Sequence, residues 1–322
     1  KKMLKCYGMK SKGKIIVTGG AGFIGSHLVH KLVSLGLDVI VIDNFSTGKI
    51  DNLKKIKSKI KILKEDIGNF EQLQKVLRRE KEVDYIYHIA ALPRIERSID
   101  NPLETHKSNV HGVFGVLELA RFLEIKRLIF TSSSSVYGNQ NKNPLTEDLV
   151  PNPQNPYAAH KQMGEVYCDI YSKVFGIPIV TLRLFNVYGL GMDGEGSYQL
   201  VFTKWMKQIK NGLPLIIYGD GKQTRDFTHI SDTVAALVRA MKFKHVNMHE
   251  IINIGSGRQV SVKYLASLFK APVLHVDSRK FEERFKQADI SKAAKLLNWR
   301  PRVSIEEGVI ELLKKNKNLL KR

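Results

Sequence analysis

The chain has 322 residues, of which 43% are hydrophobic and 26% charged, a globular composition that excludes a disordered polymer and leaves room for one large α/β unit plus a smaller lobe. No apolar run reaches the ~18 to 20 residues that span a bilayer, and the two cysteines, Cys6 and Cys168, match no metal or redox spacing, so no membrane partner, bound metal or disulfide framework is expected. The 52 Lys and Arg against 31 Asp and Glu leave a formal charge of +21, but the lysines are dispersed (Lys54, Lys55, Lys57, Lys59, Lys61) without the interleaved aromatics that stack bases. A solvated basic face with weak polyanion attraction is therefore expected, and no specific nucleic-acid site. The basic stretch Lys1 to Lys14 lacks the apolar core of a signal peptide, which points to a cytoplasmic protein.

Lys14-Ile15-Ile16-Val17 runs straight into Thr18-Gly19-Gly20-Ala21-Gly22-Phe23-Ile24-Gly25. This pattern predicts a buried strand over Ile15–Val17, a tight glycine turn and a helix over Phe23–Leu35, whose first N–H groups and positive dipole end suit a pyrophosphate. The glycines fit two spacings at once: Gly20, Gly22 and Gly25 for the general dinucleotide pattern, and Gly19, Gly22 and Gly25 for that of short-chain dehydrogenases. A second apolar run, Val39 to Ile42, stops at Asp43, 18 positions after Gly25. An acid there accepts hydrogen bonds from an adenosine ribose and repels a 2′-phosphate, so NAD is the expected cofactor and NADP is not.

Further strands are predicted at Ile60–Leu63, Tyr85–Ile89, Arg127–Phe130 and Ile179–Leu184, alternating with helices near Phe70–Arg79, Leu103–Leu123 and Tyr157–Phe175. That rhythm predicts an α/β fold with a doubly wound parallel (Rossmann) sheet, whose ligands lie beyond the carboxyl ends of the strands. After Asn186 the rhythm changes. A glycine-rich loop (Gly189 to Gly196) and a helix to Ile209 are followed by apolar runs at Leu215–Tyr218 and Ile251–Ile254. Helices near Val234–Met241, Val262–Phe269 and Ile305–Leu313 complete the pattern. The expected organisation is a cofactor domain over 14–186 and a substrate lobe over 187–322, partly interwoven with it.

Tyr157 and Lys161 share one face of the helix that begins after Pro153 and Pro156. A nearby cation favours phenolate, so the pair suits a tyrosine that takes a proton from a sugar hydroxyl while hydride leaves for NAD⁺. The strand at Arg127–Phe130 ends in Thr131-Ser132-Ser133-Ser134-Ser135-Val136-Tyr137-Gly138, which brings hydroxyls to the same sheet edge.

Between Lys14 and about Glu307 the chain resembles the extended short-chain dehydrogenase/reductase superfamily, and within it the nucleotide-sugar 4-epimerases of the UDP-galactose 4-epimerase type. The resemblance rests on the glycine turn, Asp43-Asn44, Asp66-Ile67, His88-Ile89-Ala90-Ala91, the serine run, Tyr157 with Lys161, Leu184 to Gly189, Arg225 to Ile230 and Ala288 to Ala293. It implies Ser133, Tyr157 and Lys161 as the catalytic set, working through a transient 4-keto sugar. It further implies Gly19, Gly22, Phe23, Ile24, Gly25, Asp43, Asn44, Thr47, Gly48, Asp66, Ile67, Ala90 and Ala91, with Tyr157 and Lys161, around NAD. Ser133, Asn186, Tyr218, Arg225, Arg279 and Lys286 are implied around a UDP-sugar, and a homodimer through the helices near Leu103–Leu123 and Tyr157–Phe175. Ser134-Ser135 stand where related dehydratases carry an Asp-Glu pair and related decarboxylases a Glu. Pro93 stands where some relatives place a lysine near the cofactor phosphates. Lys286 stands where strict UDP-glucose/galactose enzymes place a tyrosine, which leaves UDP-N-acetylglucosamine and UDP-glucuronate open beside UDP-glucose. A net dehydrogenase on the same fold and a non-catalytic binding module are the remaining alternatives.

Overall fold

The computed structural model describes residues 13–80, 82–192, 201–243, 248–278 and 285–315. These residues form two compact units. The first comprises residues up to Val136, Pro153–Arg183 and Val234–Ile252, and the second comprises Tyr137–Asn152, Leu184–Thr233 and Asn253 onward. Residues 137–152, which lie before the expected boundary at 186, thus group with the second unit, and 234–252 group with the first.

A seven-stranded sheet orders the first unit. Its strands are β1 (Lys14–Thr18), β2 (Val39–Ile42), β3 (Lys61–Leu63), β4 (Val83–His88), β5 (Arg127–Ser133), β6 (Ile179–Leu184) and β7 (His249–Ile254), in the spatial order β7-β6-β5-β4-β1-β2-β3. β1 pairs in parallel with β2 on one side (Ile16 opposite Ile40) and with β4 on the other (Ile16 opposite Ile86). The strand order therefore reverses at the β1/β4 junction, the place where such sheets bind ligands. Strands buried on both faces need no polar alternation, which is why Ile15-Ile16-Val17 and Val39 to Ile42 are continuous apolar runs, all almost fully buried. Cys168 lies inside this core as a small apolar filler, and burial pushes its thiol well above the usual range.

Two predicted elements differ in extent. β5 continues through Thr131, Ser132 and Ser133 before a 3₁₀ turn over Ser134–Tyr137, because the hydroxyls find partners within the fold. The helix expected over Leu103–Leu123 is instead two α-helices, Pro102–His106 and Gly112–Phe122, joined by a π turn at Lys107–His111. Within that turn the amide of Asn109 replaces a backbone partner for Leu92, accepting from its N–H (2.7 Å) and donating to its carbonyl (2.9 Å). Gly112 and Gly115 then let the second helix press on Ile67, where a Cβ at Gly115 would overlap the Ile67 carbonyl oxygen.

The second unit is built from short strand pairs: Val187–Tyr188 with Thr228–His229, Thr224–Arg225 with Val260–Ser261, and Leu215–Tyr218 with Val273–Val276. Helices Val201–Lys210, Val262–Ser267 and Ile305–Lys315 enclose an aromatic core in which Tyr188 stacks on Phe202 at 4.7 Å and Trp205 is fully buried. The Val273–Val276 strand, although three of its four residues are apolar, leaves much of its surface to solvent, with Val273 41% and Leu274 50% exposed. No helix among the described residues is long and apolar enough to cross a membrane.

Candidate functional site

The glycine turn follows β1 directly. Gly19 adopts φ +69 and faces the loop after β4 so closely that a Cβ would lie 2.6 Å from the Ala90 Cα, and a Cβ at Gly25 would overlap the Gly19 carbonyl oxygen. These two glycines are required by packing. Gly22 differs: a Cβ there would meet only the Gly19 oxygen at 3.3 Å, leaving open space over the turn. Gly22 is also the N-cap of the helix Phe23–Ser34, which has neither a capping side chain nor an acid in its first turn. The N–H groups of Phe23, Ile24 and Gly25 thus open a helix whose positive end no side chain neutralises, a cradle that fits a pyrophosphate.

Asp43, almost fully buried at the end of β2, leans over this turn and accepts from the N–H of Ala21 (2.9 Å) and of Phe45 (2.8 Å). One lone pair per oxygen remains for a ribose diol. The loop beyond wraps back onto the turn: a Cβ at Gly48 would lie 2.9 Å from the Asp43 carboxylate, and Lys49 N–H donates to the Ala21 carbonyl, while Thr47 is exposed. Asn44 donates to Asp66 (2.8 Å), whose other oxygen accepts from Gly68 N–H, so Asn44, Asp66 and the buried Ile67 form one rim, with Ala90 and Ala91 half-buried beside Gly19. The residues present fit a dinucleotide with free ribose hydroxyls.

The helix Pro156–Phe175 is fixed at both ends, by Asn155 capping Ala158 N–H (2.9 Å) with Pro156 in the first turn, and by Gly176 at φ +67. Ser98 accepts a further hydrogen bond from the Tyr157 N–H (3.0 Å). The Tyr157 hydroxyl is hydrogen-bonded to Ser133, whose oxygen also accepts from Ser135 Oγ (2.9 Å). Lys161 is almost fully buried, donates to the Thr131 carbonyl (2.7 Å) and lies 5.2 Å from the centre of the Phe130 ring.

The electrostatics depart from the expected scheme. Burial raises the Tyr157 hydroxyl above its ordinary value, opposed by the Ser133 hydrogen bond and the charge of Arg94. Lys161 is not what holds the phenol down, because its ammonium turns to Thr131. Burial lowers Lys161 itself to about 8, with Glu165 acting against that fall.

The expected substrate residues of the second unit lie on its short strands and loops. Asn186 is exposed, and its carbonyl accepts from Thr228 N–H. Tyr218 receives a hydrogen bond from Lys204 (3.0 Å). Arg225 is half-buried and followed by Asp226, which is fully buried and accepts from Ser256, Gly257 and Ala288 N–H groups, tying the Arg225 strand to the Lys286–Ala288 segment. Lys286 is 5% exposed, so its stem does not swing its head into solvent. Arg279 lies outside the described residues. Sequence reasoning missed Arg94, Ser98, Glu165 and Arg183. Only Glu165, one turn beyond Lys161, carried a positional signal.

Known proteins share this fold. Residues 15–255 match the family described as NAD dependent epimerase/dehydratase. The fold superposes on the UDP-glucose 4-epimerase of Thermotoga maritima (33% identity, 96% of this chain and 100% of that one, TM-score 0.88). It also superposes on the UDP-N-acetylglucosamine 4-epimerase of Methanobrevibacter ruminantium (32%, 95% and 100%, 0.87). A third similar structure is the UDP-glucuronic acid 4-epimerase of Bacillus cereus solved with UDP-glucuronic acid and NAD (36%, 95% and 99%, 0.86). Since the matched residues take in the glycine turn, Asp43, Ser133, Tyr157 and Lys161 alike, the chain belongs to the NAD-dependent epimerase/dehydratase family.

Proposed function

We propose that the chain inverts C4 of a UDP-hexose, with UDP-glucose and UDP-galactose as the first pair to test. The observation that carries this reading is the Ser133–Tyr157 hydrogen bond at the end of β5, with buried hydroxyls at Ser134 and Ser135 in place of acids. Water elimination needs a proton donor and acceptor beside the sugar ring, and serines at that place supply neither at neutral pH. Inversion needs only a residue that takes and returns the proton of the C4 hydroxyl. Tyr157 takes that role, Ser133 holds the same oxygen, and Lys161, one turn along the helix and tied to the Thr131 carbonyl, is left to reach the nicotinamide ribose. Gly19 to Gly25, Asp43 and the Asp66–Ile67 rim would hold NAD, which when bound would supply reversible hydride chemistry without net consumption. Arg225 and Arg279 suit the diphosphate because each guanidinium offers a planar fork of donors, and the resemblance assigns Asn186 to the same phosphates and Tyr218 to the uracil.

Lys286 in place of a tyrosine leaves UDP-N-acetylglucosamine and UDP-glucuronate open beside UDP-glucose as substrates to test. Exposed Phe114, Phe122, Met163, Val166, Ile170 and Val174, on the helices Gly112–Phe122 and Pro156–Phe175, support a homodimer through that face, in a cytoplasmic enzyme.

The test is to denature the purified protein, identify its cofactor by mass spectrometry, and incubate the intact protein with UDP-glucose, UDP-N-acetylglucosamine and UDP-glucuronate in turn. NAD and a 4-epimeric product without accumulating NADH are expected. NADP as the main cofactor, or NADH growing in step with product, would overturn the reading in favour of a different cofactor choice or a net dehydrogenase.

A further inference from the structure

Three successive residues at the end of β5 are each tied to the helix Pro156–Phe175. Thr131 accepts from Lys161 (2.7 Å), Ser132 donates to Glu165 (2.6 Å), and Ser133 is bonded to Tyr157. The middle tie has a foundation of its own. Arg183, in β6, grips Glu165 with both arms of its guanidinium, Nε to Oε1 at 2.9 Å and Nη2 to Oε2 at 2.7 Å. Both side chains are almost completely buried. A buried ion pair of this kind adds little net stability over apolar residues of the same size, so its presence calls for another reason.

The surroundings of Lys161 supply one. The ionisable groups facing it among the described residues are Glu165, Cys168 and His160 on its own helix and His88 on β4. Burial keeps the Cys168 thiol protonated and His88 and His160 neutral. Glu165 is the one anion of this set. We propose that Glu165, clamped by Arg183, is a positioning residue that keeps Lys161 in its ammonium form and locks the Thr131–Ser133 strand end to the catalytic helix. This rests on the epimerase reading for its catalytic meaning, but the state of Lys161 can be read without any substrate.

The decisive comparison uses Glu165→Gln/Arg183→Met, which removes both charges together, keeps an acceptor for Ser132 and leaves no lone buried charge. Lysine labelled with ¹⁵N at Nζ reports the titration of Lys161, assigned by the resonance that Lys161→Met removes. In the double variant the midpoint is expected to fall by about one pH unit, and where the sugar nucleotide is turned over, the alkaline limb of kcat falls with it while KM changes little. Ser132→Ala cuts the strand tie and keeps the charges, so it should lower kcat without moving the midpoint. Glu165→Asp should hold the midpoint at the wild-type value even if the double variant folds poorly. An unchanged midpoint in the double variant, or an equal fall in Ser132→Ala, overturns the proposal. The expected shift in the double variant, together with a wild-type protein that turns over no UDP-sugar, overturns the epimerase reading alone.

Discussion

The proposed reaction asks Tyr157 to give up its proton, yet its surroundings hold the proton on. Burial works against phenolate, and Ser133 and Arg94 only partly offset it. Arg94 occupies φ 98, a conformation that costs a non-glycine residue energy, at a loop directly before the helix Ile95–Asp100. Catalysis through Tyr157 predicts that Tyr157→Phe keeps its circular dichroism and its bound NAD while losing at least ~10²-fold in kcat. Ser133→Ala should lose less, since it removes one hydrogen bond to the same oxygen. A Tyr157→Phe protein turning over near the wild-type rate would require another base. The Tyr157/Lys161 pair was visible in the sequence because helical spacing places i and i+4 on one face. Arg94 and Ser98 were not, because they reach the site from a loop and a short helix about sixty positions earlier in the chain.

The β1/β4 junction shows how elements hold the cofactor loop. Thr18 and His88 end the two strands and share a hydrogen bond (2.9 Å), Thr18 also accepts from Ala90 N–H, and Thr131 on β5 donates to the His88 carbonyl. Burial, with the charge of Lys161 nearby, lowers His88 from 6.5 to about 3. The unfolded chain therefore binds a proton that the folded protein refuses, and stability is lost as pH falls through 6.5 toward 3. Above that window the group makes no such contribution. His88→Gln keeps a polar partner for Thr18 and should flatten this acid loss, measured as the urea midpoint against pH. A slope as steep as that of the wild type would place the acid sensitivity on other groups. At this scale the long apolar strands were legible, whereas the π turn at Lys107–His111 was not, because it exists to bring Asn109 to Leu92.

At the scale of the whole molecule, an apolar stripe of exposed residues runs along the helices Gly112–Phe122 and Pro156–Phe175. Val166 and Ile170 are 57% and 47% exposed on successive turns of one helix face. A face of this kind on a stable protein points to association. Val166→Glu/Ile170→Glu should sediment at the mass of one chain with unchanged circular dichroism, while the wild type sediments at twice that mass. A double variant that remains dimeric would move the interface elsewhere.

The sequence by itself determined the glycine turn, the acid after β2, the order of strands and helices through Leu184 and the shared helix face of Tyr157 and Lys161, because each is written in short-range spacing, whereas Ser133 was singled out only through the family resemblance. Tertiary structure alone decided the rest. It brought Arg183 from β6 under Glu165, turned Lys161 toward Thr131 and away from the phenol, and buried Lys286. It also grouped residues 137–152 and 253–315 into one unit. Those outcomes depend on which distant segments pack together, and on the cost of burying charge, neither of which leaves a periodic mark along the chain.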